Sequence, residues 1–485
     1  MITSTVHSSS NKSSNTVAIA IIAGLFAIFG FVTWINGTLI PFMKTMNELT
    51  EAQSYLVASA SYISFVVMAL PASYLLNKIG YRKGMSIGLI IMAIGALVFI
   101  PAAEARTYWV FLTGIFIQGT GMTILQTAAN PYITILGPIE SGAKRIAIMG
   151  ISNKGAGIIA NIIFGSLLLS GIDDVKDKLA VVSGEEKESL LNSMADSVVM
   201  PYVVMAIVLL VFGILIRKAP LPHVEASEEE AQEAGQTTKT SIFQFPHLWL
   251  GVLTLFVYVG AEVIAGDSII AYGLSLGFPA EEAKFFTPFT LGAMITMYAL
   301  GVFLIPKYLK QDTALKLSAA LGIVFSICIL LTTGFTSVLF VAALGIANAL
   351  VWPAVWPLTL RGLGKFTKTA SALLIMAIAG GAIIPPLYGR LVDGNKASLI
   401  FHEINKNLTT KLDVNVIDKI KSIHGFNELT SYLSSITSMN TEEINKIVSE
   451  ASAHASTSSY WILIPCYIII LYFALHGHKL GMKKN

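Results

Sequence analysis

Charge is scarce in this sequence and cysteine nearly absent. Asp, Glu, Lys and Arg together make up 13% of the 485 residues, about half the share found in a soluble domain, which excludes a water-exposed globular fold. The two cysteines, Cys328 and Cys466, both fall inside apolar runs, so no disulfide framework and no cysteine metal spacing is available. A net charge of +3 comes from basic residues scattered through short loops rather than from a basic patch, and no nucleic-acid partner is expected. Enzyme motifs are also missing. There is no phosphate-binding glycine loop, which argues against direct coupling to ATP. "GLSLG" from Gly273 matches a nucleophile elbow without the strand that must precede it, and "HEINK" at His402 lacks the second histidine of a zinc site. No enzyme and no cofactor is expected, and no metal site is assigned. The polar leader, residues 1–16, precedes a span too long for a signal-peptide core, so an uncleaved first helix is expected.

What fills the chain instead is hydrophobic sequence, 54% of all residues, with a mean hydropathy of +0.70. About twelve apolar segments are long enough to cross a bilayer as helices. Six lie in residues 17–216 and six in 247–478, and an even number returns both termini to one side. Alternate short loops carry Arg82 and Lys83, Lys144 and Arg145, Lys310 and Lys316, and Arg361 and Lys365, whereas the opposite loops hold little more than Lys44, Arg106 and Lys284. Lysine and arginine are retained on the cytoplasmic side, so the tails 1–16 and 479–485 and the acidic linker 217–246 are expected there. The expected location is the cell (inner) membrane, with the bilayer as solvent. Two outward segments, 172–197 and 393–457, have the apolar spacing of small amphipathic helices; the second is an extracytoplasmic insertion.

The two sets of six are repeats of one another. "LFAIFGFVTWINGT" from Leu25 aligns without gaps on "LFVYVGAEVIAGDS" from Leu255 at an offset of 230, Pro131 on Pro357 at 226, and Gly165 on Gly389 at 224. A smoothly drifting offset is expected of a duplicated six-helix unit whose copies differ by small deletions, giving two bundles around a pseudo-twofold axis.

Two stretches, "QTAANPYITILGP" from Gln126 and "ANALVWPAVWPLTLRGLGKFTKTASALLIMAIAGGAIIPPLYG" from Ala347, resemble the fucose:proton symporter family of the major facilitator superfamily. The resemblance is strongest to its glucose/galactose and N-acetylglucosamine branch. It runs from about Leu25 to His478, outside the two long outward segments. The superfamily's loop motif between spans 2 and 3 is only partly kept, with Ser73 and Asn77 where glycine and aspartate are usual. The resemblance implies an all-α integral membrane protein of the major facilitator fold that works by alternating access, with one central sugar site lined mainly by spans 1, 4, 7 and 10.

The same resemblance marks a departure. The fucose branch has a membrane aspartate on span 1 and a glutamate on span 4; here the matching residues are Gly37 and Gln126. The repeat places Asp267 opposite Gly37, so the acid missing from span 1 is found at the pseudo-symmetric position of span 7. Glu262 stands five residues earlier, about 140° around a regular helix. The two acids therefore share a face only if the helix is broken, for which Gly266 offers a place, and a broken turn presents carbonyls to a cation. The alternative is Glu262 bonded within the bundle and Asp267 in a solvated mouth. Lys154 lies nine residues past Arg145, about 13 Å into the membrane, and requires a counter-ion, either Glu262 or Asp267.

Gln126 and Asn130 form an i, i+4 amide wall whose repeat mates, Trp352 and Trp356, form an aromatic wall. A pyranose needs both, hydroxyls paired and a C–H face packed on indole; helix packing or interfacial anchoring are the alternatives for the tryptophans. Asn153 matches an asparagine of the family's span 5, either a sugar contact or a packing residue. The expected sugar ligands are Asn36, Gln126, Asn130, Asn153, Trp352 and Trp356, and the expected coupling groups are Glu262, Asp267 and Lys154. The expected function is symport of a hexose or N-acetylhexosamine with sodium or a proton by a monomer, with sodium favoured for the oxygens of a broken helix. Facilitated diffusion, fucose or mannose as substrate, and a transporter-like sugar sensor remain as alternatives.

Overall fold

A chain in lipid has no water to satisfy its backbone, so helices that bond internally are the natural way to cross. The computed structural model describes residues 10–135, 142–179, 181–219, 240–305, 308–408, 412–423, 426–437 and 439–480, and among them no strand is found. Among the described residues twelve helices are long and apolar enough to span a membrane. In chain order, spans 1 to 6 begin at Val17, Leu56, Tyr81, Tyr108, Arg145 and Glu185, and spans 7 to 12 at Pro246, Ala280, Gln311, Gly334, Thr369 and Thr441. Most of the linker lies outside the described residues.

Each half is held by close helix contact. Spans 3 and 4 cross on Gly88 and Gly95 against Gly121 and Gly114: a Cβ on Gly121 would lie 2.3 Å from the Gly88 carbonyl oxygen, and one on Gly95 would lie 2.7 Å from that of Gly114. Small residues let two backbones meet where lipid supplies no hydrophobic drive between helices. The halves meet along a seam of spans 5 and 8 on one side and spans 2 and 11 on the other. Spans 1 and 7 touch at the centre, where a Cβ on Gly37 would lie 3.3 Å from the Gly266 carbonyl oxygen.

We call the side with the described ends of the chain the terminal face, and the opposite side the far face. On the far face the first outward segment forms helices Ile172–Leu179 and Glu185–Ser197. The insertion does not begin as a loop at residue 393. The helix of span 11 continues unbroken as Gly380–Asn407, followed by Asn415–Ser422, Phe426–Ile436 and Thr441–Ser459. These helices close on their own apolar core of Ile400, Ile404, Ile420, Leu433, Ile444 and Val448.

Candidate functional site

Spans 1 and 7 are each interrupted toward their far-face ends. Span 1 is helical over Ser10–Trp34 and again over Asn36–Met46; span 7 is helical over Pro246–Asp267 and again over Ile269–Ser275. Side chains of neighbouring helices satisfy the joints. Asn161 of span 5 donates to the Trp34 carbonyl at 2.7 Å and accepts from Thr38 Oγ1 at 3.1 Å. Thr287 and Thr290 of span 8 donate to the carbonyls of Gly266 at 2.7 Å and Ala265 at 3.1 Å. The interruption of span 7 therefore falls at Ser268 rather than Gly266, and the carbonyls expected to face a cation are taken by threonine hydroxyls.

Against these joints sits the buried charge. Lys154 Nζ is 3.0 Å from Glu262 Oε1, with 9% and 13% of the two side chains exposed. Of the two counter-ions open to Lys154, the structure pairs it with Glu262, and the pair ties span 5 of the first half to span 7 of the second. Asp267 is 1% exposed, and neither carboxylate oxygen has a hydrogen-bond partner among the described residues. It does not lie in a solvated mouth. An ionised carboxylate in such a place has neither water nor donors to stabilise it.

A residue absent from the sequence reading organises the cluster. The Lys154 ammonium sits 4.2 Å from the Trp34 ring centroid, and Trp34 Nε1 donates to Asn153 Oδ1 at 3.0 Å. Room for the indole comes from Gly157 and Gly266, where added Cβ atoms would lie 2.7 and 2.3 Å from the ring. The signal was present as a pattern: the repeat mate of Trp34 is Ile264, so one copy carries a polarisable ring where the other is aliphatic. Asn153, expected either to reach sugar or to pack, is 6% exposed, and its Nδ2 donates to the Phe26 carbonyl at 3.3 Å. Both ends of its amide are engaged, which is the packing role. Asn36 is 3% exposed with Nδ2 unpartnered among the described residues.

The two expected walls lie toward the terminal face, since Gln126 and Trp356 stand in the last third of their helices, Tyr108–Ile135 and Gly334–Leu360. Gln126 is half-buried, while the side chain of Asn130 lies outside the described residues. Trp352 and Trp356 are half-buried and stack on one another, centroids 5.4 Å apart and planes 23° from parallel. Among the described residues no group of three or more His, Cys, Asp or Glu is placed to hold a metal.

A family model described as "Major Facilitator Superfamily" matches residues 22–386. The chain is 33% identical over 384 residues to the "Glucose/galactose transporter" of Brucella abortus biovar 1 (strain 9-941), covering 78% of this chain and 88% of the relative. It is 29% identical over 388 residues to the "L-fucose-proton symporter" of Escherichia coli (strain K12), covering 78% and 87%. Among solved structures, FucP in the outward conformation superposes with a TM-score of 0.64 at 23% identity, over 97% of this chain and 100% of the other, a likeness of fold.

Proposed function

Because the chain belongs to the Major Facilitator Superfamily, we propose that it is a secondary active transporter, not an enzyme, moving a neutral hexose or N-acetylhexosamine into the cell with a coupling cation. Glucose and galactose lead as substrates, since relatives that match over most of this chain carry those names. The observation that carries the coupled reading is the buried charge cluster at the seam. It holds one cation against two acids, with only Glu262 paired. A second acid that gains and loses a cation during the cycle gives the two halves a reason to move together. A proton is favoured over sodium here, because the carbonyls at the span 7 joint already accept from Thr287 and Thr290, leaving fewer of the oxygens a hard cation prefers.

The sugar is placed between the amide wall and the stacked Trp352 and Trp356. Gln126→Ala and Trp356→Ala are each expected to weaken sugar binding by about 1 to 3 kcal/mol, roughly five- to 150-fold in affinity. Titration of labelled glucose and galactose onto the detergent-purified variants reads this directly, and wild-type affinity in the double variant refutes the site. The function itself is tested by uptake of labelled sugar into proteoliposomes under a pH gradient without sodium, and then under a sodium gradient alone. Binding without uptake under either gradient or by exchange identifies a sensor, and uptake that equilibrates but never accumulates identifies facilitated diffusion.

The terminal face is placed in the cytoplasm. In a background lacking Cys328 and Cys466, single cysteines at Ser183 and Asn407 are expected to react with an impermeant maleimide in whole cells, and those at Gln232 and Lys310 only after lysis. External labelling at Gln232 inverts the orientation. The transporter is taken to act as a monomer.

A further inference from the structure

Across the far face, the two halves are fastened by a pair of related contacts. In the loop between spans 1 and 2, the backbone N–H groups of Glu51 and Ala52 donate to Asp393 Oδ1 at 3.0 Å and Oδ2 at 2.9 Å. Asp393 belongs to span 11 of the second half. At the start of span 8, the N–H of Ala280 donates to Asp173 Oδ2 at 2.7 Å, and Ser170 Oγ donates to Glu281 Oε1 at 2.6 Å. Asp173 and Ser170 follow span 5 of the first half. Each half thus offers a carboxylate, on its fifth span or just after it, to backbone amides at the entry to the second span of the other.

The targets correspond in place, since Glu51 and Ala280 are the first residues of the short helices Glu51–Ser54 and Ala280–Ala283. The carriers also correspond. Gly165 and Gly389, paired at 224, are the points where each fifth helix presses on the opposite loop. A Cβ on Gly165 would lie 3.0 Å from Lys284 Cβ, and one on Gly389 would lie 2.7 Å from Ala52 Cα. Asp393 stands four residues beyond its glycine in the same helix, whereas Asp173 stands eight beyond its own, after a turn at Gly171, on the short helix Ile172–Leu179. Charge-assisted bonds of a carboxylate to backbone amides are among the stronger polar contacts. Here they join elements that have to separate for the far face to open.

We propose that Asp173 and Asp393 are twin latches that hold the far face shut and set the fraction of molecules in which it opens. Both act on the same closing equilibrium, so their effects multiply. The test uses the full-length protein in detergent, where both faces are reachable and no assumption about orientation or sugar is needed. One reporter is Ser59→Cys, at a residue whose hydroxyl donates to the Ala382 carbonyl across the seam near the far face. The other is Ala147→Cys, which lines the seam near the terminal face beside Tyr298 and Leu350. Both are made without Cys328 and Cys466. Asp173→Ala and Asp393→Ala are each expected to raise maleimide labelling at position 59 by about tenfold, and about a hundredfold together, while labelling at position 147 falls. Asp393→Asn, which keeps one acceptor oxygen, should give an intermediate rate. Unchanged labelling at both reporters in the double variant overturns the proposal. So does a rise at both faces at once, which is what loosening of the whole fold produces.

Discussion

Glu262→Gln is expected to lower the melting temperature of the purified protein and to abolish gradient-driven accumulation of sugar. The substitution leaves the Lys154 ammonium, 9% exposed by its side chain, without its counter-charge. Removing one partner of a buried ion pair costs about 3 to 5 kcal/mol, because the surviving charge keeps its desolvation penalty and loses its compensation. The face of Trp34, 4.2 Å away, attracts the ammonium in wild type and variant alike, so it does not replace the lost carboxylate. The double variant Lys154→Met with Glu262→Gln removes both charges and should recover most of the melting temperature without recovering accumulation. The single and double variants then form a cycle that isolates the pair from the packing around it. A single Glu262→Gln variant that melts with the wild type and still accumulates sugar removes the pair from both stability and coupling.

The second large effect is at Asp267 and has the opposite sign for stability. An acid with both oxygens buried and unpartnered among the described residues contributes nothing favourable to folding when ionised, and asparagine of nearly the same shape carries no charge to desolvate. Asp267→Asn should therefore hold or raise the melting temperature. The same variant is expected to reduce accumulation to simple equilibration while sparing exchange of internal for external sugar. Exchange uses only the loaded carrier, whereas accumulation requires the acid to release its cation before the carrier returns. A thermal melt and the two flux assays on one preparation check this. Undiminished accumulation in Asp267→Asn excludes it as the coupling group. The pairing of outcomes matters more than either alone: loss of coupling with intact stability at 267, against loss of both at 262, is the signature of one acid that serves coupling alone beside one that also holds the halves together.

The fold was legible because lipid enforces it. Apolar length reports on the bilayer rather than on detailed packing, and the twelve long apolar helices found among the described residues carry it. The site was legible only in part. That Lys154 needed an acid followed from its depth, but which acid it takes depends on reach across the seam, which a linear pattern does not contain. Asn153 carried a family position but not its bonds to Trp34 and Phe26. The absence of an acid at Gly37 was visible as a letter, and its cause only in three dimensions. A Cβ there would already stand 2.8 Å from Thr287 Oγ1, so a side chain on span 1 would have to displace that threonine, and the equivalent position on span 7 is where a carboxylate is found. The interruption of span 7 was misplaced by two residues because glycine was read as the weak point. Gly266 instead makes way for an indole ring, and Ser268 ends the helical segment.

The uninterrupted helix Gly380–Asn407 carries one more consequence. Its 28 residues reach about 42 Å, from the seam beside Tyr62 and Ala52 to the apolar core of the far-face insertion. Whatever rocks the second bundle is therefore transmitted along a single lever arm to a small knob of helices with an apolar core of its own. Such a knob is an external pointer to the internal state: a probe fixed to it registers the working stroke while every residue of the central cavity is left as it is.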